Sequence, residues 1–71
     1  MRREPVDSSA LRSVGYDPLL RILEIEFASG AVYRYADVPA WLHADLMRAP
    51  SPGEFFAAQV RDAGFEFVQV D

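Results

Sequence analysis

The segment from Leu23 to Tyr35 constrains the fold of this chain more than any other. Leu23, Ile25 and Phe27 alternate with Glu24 and Glu26, the period of a strand with one buried face. Ala28-Ser29-Gly30 follows, and Val32 to Val38 reads as the returning strand of a hairpin. Two registers are open. A three-residue loop ending on Gly30 fits a type I turn closed by a left-handed residue. It sets Leu23 against Tyr35, Ile25 against Tyr33 and Phe27 against Ala31, with Glu24 against Arg34 and Glu26 against Val32. A two-residue Ser29-Gly30 loop would place both tyrosines beside the glutamates. The first register is preferred, because it pairs aliphatic with aromatic groups on one face and opposite charges on the other.

The flanking sequence supplies partners for that hairpin. Residues 1–7 read as a flexible N-terminal arm, and residues 8–71 as one domain. Ala10 to Tyr16 predicts a first strand with Val14 and Tyr16 on one face. Asp17-Pro18 is a turn signal, and the second strand is expected over Leu20 to Phe27. From Pro39 to about Arg48, Leu42, Leu46 and Ala49 continue a stripe begun by Val38, with Trp41 beside it, which predicts an amphipathic helix. Ala49-Pro50 ends it. Ser51-Pro52-Gly53-Glu54 carries a capping-box pattern, with Ser51 as cap, for a second helix running to about Asp62 and stopped by Gly64. Phe65 to Val70 reads as a last strand. The order β-β-β-α-α-β belongs to the α+β class, as a small antiparallel sheet with two helices packed on one face.

Several function classes are disfavoured. With 71 residues the chain has room for one domain, and without cysteine neither disulfides nor thiolate zinc can hold it together. No apolar run approaches the ~20 residues of a membrane span, and no apolar core follows Arg2-Arg3 as in a signal peptide. A soluble, cytoplasmic protein is expected. Eleven acids stand against seven bases, all arginine, for a net charge of −4, which weighs against non-specific nucleic-acid binding. The single histidine, His43, argues against a transition-metal site and against metal or cofactor chemistry. It falls opposite the apolar stripe and is expected exposed. No catalytic set is promoted by spacing, so the chain is not expected to be an enzyme.

The ordered set Leu23-Glu24-Ile25-Glu26-Phe27, Gly30, Tyr33-Arg34-Tyr35 and Val38-Pro39 resembles the KTSC family. The likeness extends through Ser9, Leu11 and Tyr16-Asp17 upstream. Downstream it takes in Leu46, Ala49, Ser51-x-Gly53-x-Phe55-Phe56, Val60-Arg61, Phe65 and Phe67. That family is named for the C-terminus of some lysyl-tRNA synthetases and includes short stand-alone bacterial proteins. The resemblance implies a small binding module without an assigned activity, and it suggests RNA or tRNA as ligand. Two departures from the family pattern point toward a protein partner instead. Asp62 follows Arg61 where the family is often basic, and Leu19, Leu20 and Ile22 occupy a turn that is usually polar.

Two groups of residues are therefore candidates. Tyr33 and Tyr35 lie ~7 Å apart on one strand face and could stack two bases, with Arg34, Arg61 and Arg12 as cations. The competing reading, which the preferred register supports, buries both tyrosines beneath the helices and pairs the arginines with acids. Leu19, Leu20, Ile22 and Trp41 form the second group, a surface for a protein partner or a homodimer. Against it, Leu20 and Ile22 could extend the core. Glu24 and Glu26 read as a solvated strand face.

Overall fold

The hairpin adopts the three-residue-loop register. Leu23 faces Tyr35, Glu24 faces Arg34, Ile25 faces Tyr33 and Glu26 faces Val32, and Gly30 closes the turn at φ 96°. The computed structural model describes all 71 residues. Its elements are β1 (Arg3–Pro5), β2 (Leu11–Asp17), β3 (Ile22–Phe27), β4 (Val32–Tyr35), α1 (Ala40–Arg48), α2 (Pro52–Gln59) and β5 (Phe67–Gln69), with a short 3-10 turn at Arg61–Ala63 before β5. The strands form one antiparallel sheet in the order β1-β2-β3-β4-β5. No helix is long and apolar enough to cross a membrane.

Alternation decides which side chains meet the helices. Val14, Leu23, Ile25 and Tyr35 share a core with Leu42 and Leu46 of α1 and with Phe56 and Val60 from α2 and its end. Leu11 joins them although it is an odd number of residues from Val14. A register shift between Leu11 and Ser13 absorbs the extra residue and turns both apolar groups inward.

The structure corrects several expectations. Arg3–Pro5, expected within a loose arm, is an edge strand that sets Arg3 opposite Gly15. Its approach needs that glycine, since a Cβ there would stand 2.8 Å from the Arg2 carbonyl oxygen. The strand expected from Leu20 begins at Ile22. The Asp17 carboxylate accepts hydrogen bonds from the Leu19 and Leu20 N–H groups at 2.9 and 3.1 Å, and Arg21 takes the left-handed conformation at φ 57°. These hold residues 18–21 in a turn. Ser51 precedes α2 but makes no side-chain cap bond. Glu24, expected on a solvated face, is only 4% exposed.

Candidate binding site

The burial of Glu24 follows from β1. Arg3 reaches over the outer face of the sheet and donates to Glu24 Oε2 at 2.9 Å, while Arg34 Nε donates to Oε1 at 2.7 Å. Burial alone would raise the Glu24 pKa, but the hydrogen bond and charge of Arg34, followed by those of Arg3, outweigh it and hold it below the ordinary value. Beside it, Glu26 accepts the Ser13 hydroxyl at 2.8 Å and pairs with Arg12 at 3.6 Å. Arg12 also donates to the Ala28 carbonyl at 2.8 Å. Arg12 and Arg34 are thus engaged with carboxylates on the sheet face away from the helices. They do not join the tyrosines.

Tyr33 and Tyr35 point to the opposite face. The helices cover only part of it, and an open cleft of about 600 Å³ remains between β4, β5 and α2. Its aromatic lining comes from Phe27, Tyr33, Tyr35, Phe56 and Phe67, and Arg61 stands at its edge. Tyr35 is 5% exposed and forms the buried end. Its ring centroid lies 6.4 Å from Tyr33 at an interplanar angle of 25°, and 5.5 Å from Phe67. Phe67 stands opposite Tyr35 on β5 and is 62% exposed. The Tyr33 hydroxyl lies 3.3 Å from Gln69 Oε1, to which it donates. Of the tyrosine pair, Tyr35 is core and Tyr33 is half-buried floor. Burial pushes the Tyr35 pKa up, Tyr33 adds to the rise and Arg61 opposes it. The positive charge of Arg61 therefore reaches into the cleft. Its only acidic partner, Asp62, is at 3.4 Å with both side chains exposed, a weak hold.

The structure brings together Tyr33, Tyr35 and Arg61 from the first candidate group and adds Phe67 and Phe27, which the sequence reading did not single out. The signal for Phe67 was its alternation with Glu66 and Val68, but which face it takes depends on pairing with β4. In the second group, Leu19 is 91% exposed, and Leu20 and Trp41 are exposed too. Ile22 is half-buried at the start of β3. The turn and the start of α1 share one end of the sheet, because Val38 N–H donates to the Arg21 carbonyl at 2.9 Å.

His43 is not the exposed helix residue expected. Its ring stacks on Tyr16, with centroids 4.8 Å apart and planes within 9°. Burial lowers its pKa, opposed by the charge of Glu4 on β1. Arg48 pairs with Asp45 one helical turn back. No group of three or more His, Cys, Asp or Glu side chains could hold a metal ion.

Known proteins resemble this chain in sequence and in fold. The family model described as the KTSC domain matches residues 7–65. A protein of Stutzerimonas stutzeri, described as uncharacterized, is 42% identical over 71 residues and covers both chains in full. A lysine–tRNA ligase of Nostoc punctiforme is 36% identical over 64 residues, spanning 90% of this chain and 11% of the ligase. The crystal structure of a KTSC domain protein from Yersinia pestis superimposes with a TM-score of 0.93 at 38% identity. That match covers 99% of this chain and 97% of the other.

Proposed function

This chain belongs to the KTSC domain family, and on that premise we propose that it is a non-catalytic module whose aromatic cleft binds single-stranded RNA, including unpaired segments of tRNA. The convergence of Tyr33, Tyr35, Phe67 and Arg61 on one cleft carries this reading. Aromatic faces accept any base, and stacking on them is worth about 1–3 kcal/mol per base. The cleft volume of about 600 Å³ is within the range of small-ligand sites. The family likeness to segments of lysine–tRNA ligases supports RNA as the ligand class. A role on RNA or tRNA carries a cytoplasmic location with it. The placement of His43, flat on Tyr16, supports the non-catalytic part of the reading.

The charge distribution sets the character of the binding. Arg12 and Arg34 are committed to Glu26 and Glu24, and the chain is acidic overall. Arg61 is left to meet a phosphate, so stacking dominates and the logarithm of affinity falls with that of salt at a slope of about −0.7, the value for one phosphate on a single strand. A titration against labelled single-stranded RNA at low and moderate salt tests this. Phe67→Ala and Arg61→Ala should each weaken binding, the former by about tenfold for one lost stack, while Arg34→Ala leaves it unchanged. An absence of binding at low salt would remove the reading.

The exposure of Leu19, Leu20 and Trp41 at one end of the sheet favours a second reading, an apolar surface for a protein partner. In that case RNA fails to bind, and Leu20→Asp abolishes complex formation without touching the cleft.

A further inference from the structure

The strand β5 is an edge, hydrogen-bonded only to β4. The alternation of an antiparallel ladder determines which backbone groups it leaves free. The Glu66 carbonyl accepts from Ala36 N–H and the Val70 N–H donates to the Val32 carbonyl. From Glu66 to Val70 the even-numbered residues therefore face β4, and Phe67 and Gln69 aim their N–H and C=O groups away from the sheet, while Asp71 turns back in, its N–H and C=O both bonding Val32. The side chains of Phe67, Val68 and Val70 are exposed. No proline or basic residue guards the run from Phe65 to Asp71. The other edge, β1, is Arg3-Glu4-Pro5, with the charges and proline that block strand addition.

We propose that β5 pairs antiparallel with β5 of a second copy about a two-fold axis at Val68, joining two five-stranded sheets into one. In this register Phe67 of each copy faces Gln69 of the other, and the free N–H and C=O groups of all four residues find partners. Val68 faces Val68. Glu66 faces Val70, and Asp71 lies beyond the paired run, so no acid stands opposite an acid, the arrangement an acidic chain must avoid. An axis at Phe67 would run the strand into Gly64, which is left-handed at φ 88°. An axis at Gln69 would set Phe67 against Asp71, whose N–H and C=O are already bonded to Val32.

A second copy fits this edge better than an unrelated strand because the pairing closes. Both unguarded edges are covered at once, and the two remaining edges are both β1, so growth stops at the dimer. The axis is perpendicular to the sheet, which places both helical layers on one face and the two aromatic clefts on either side of the axis. This inference stands independently of what the clefts bind.

Sedimentation equilibrium of the purified full chain, without RNA, tests it. The expected mass is twice the 8.0 kDa of one chain, falling to one chain on dilution. Val68→Lys sets like charges against each other at the axis, and Gln69→Pro removes an outward N–H while leaving the backbone bonds to β4, losing only the Gln69 side-chain acceptor of the Tyr33 hydroxyl. Each should yield a monomer with unchanged circular dichroism. Hydrogen exchange gives a second readout: the Phe67 and Gln69 amides exchange slowly in the wild type and fast in Val68→Lys, and the Phe67 amide exchanges fast in Gln69→Pro. If Gln69→Pro does not fold, Val68→Lys decides, since it leaves the backbone intact. A wild-type monomer with fast exchange at both amides overturns the proposal. So does a dimer that survives both substitutions or is lost only on Leu20→Asp.

Discussion

Ser51 stands before α2 with the sequence of a capping box, yet its hydroxyl bonds no backbone N–H. The loop containing Ser8 and Ala10 packs against this first turn, 3.2–3.3 Å from where a Cβ on Gly53 would be. The Ser8 hydroxyl there accepts from the Ala10 and Leu11 N–H groups of its own loop. Ser51→Ala should therefore change stability by less than about 0.5 kcal/mol, as for an exposed site without partners, rather than the ~1 kcal/mol of a lost cap. Denaturant unfolding of the two proteins checks this. A loss of the larger size would mean that Ser51 does cap the helix. Glu24 departs from its sequence signal in the other direction. Alternation correctly put it on the face away from the helices, but nothing local to it shows that Arg3 arrives from twenty-one positions earlier to cover it.

At the scale of elements, the hairpin, both helices and the last strand were legible because each carries its own period or punctuation. The first strand was not. It has three residues, one of them proline, and no apolar alternation. Its trace lay in its neighbour: a glycine in mid-strand marks a close backbone approach, and Gly15 makes room for the Arg2 carbonyl. Gly15→Ala should push β1 off β2 and cost about 1–3 kcal/mol, as overpacking does. Its signature beyond stability is faster exchange of the β1 amides. Unchanged stability and exchange would show that β1 tolerates the methyl group. The site was legible in part for the same reason. Tyr33 and Tyr35 share a face by alternation alone, and that same alternation sets Arg34 on the other one. Phe67 enters the cleft only through the β4–β5 pairing, a non-local contact that no short motif records.

For the whole molecule, the two perturbed acid-range groups act with the same sign. His43 is held neutral below its usual 6.5. The unfolded chain therefore takes up the proton first, and stability falls as pH drops below that value. Glu24 is held ionised below its usual 4.5. Its contribution is present above that value and is lost as pH falls through the lower folded-state one. Melting temperature followed by circular dichroism should decline in two stages on acidification. His43→Gln should remove the first stage. Glu24→Gln should remove the second and cost about 1.5–3 kcal/mol at neutral pH, the range for hydrogen bonds to charged groups. A melting temperature flat from neutral pH to about pH 3 would contradict both assignments. Acidity also bears on function. With net charge −4 and two of the candidate arginines paired to glutamates, the proposed recognition of RNA rests on the aromatic cleft. The most direct test is amide-resolved NMR of the labelled protein titrated with a short single-stranded RNA at low salt. The account predicts shifts confined to β4, β5 and the turn bearing Arg61, centred on Tyr33 and Phe67 and absent from Arg3 and Arg12. No shifts, or shifts centred on Leu19, Leu20 and Trp41, would contradict it.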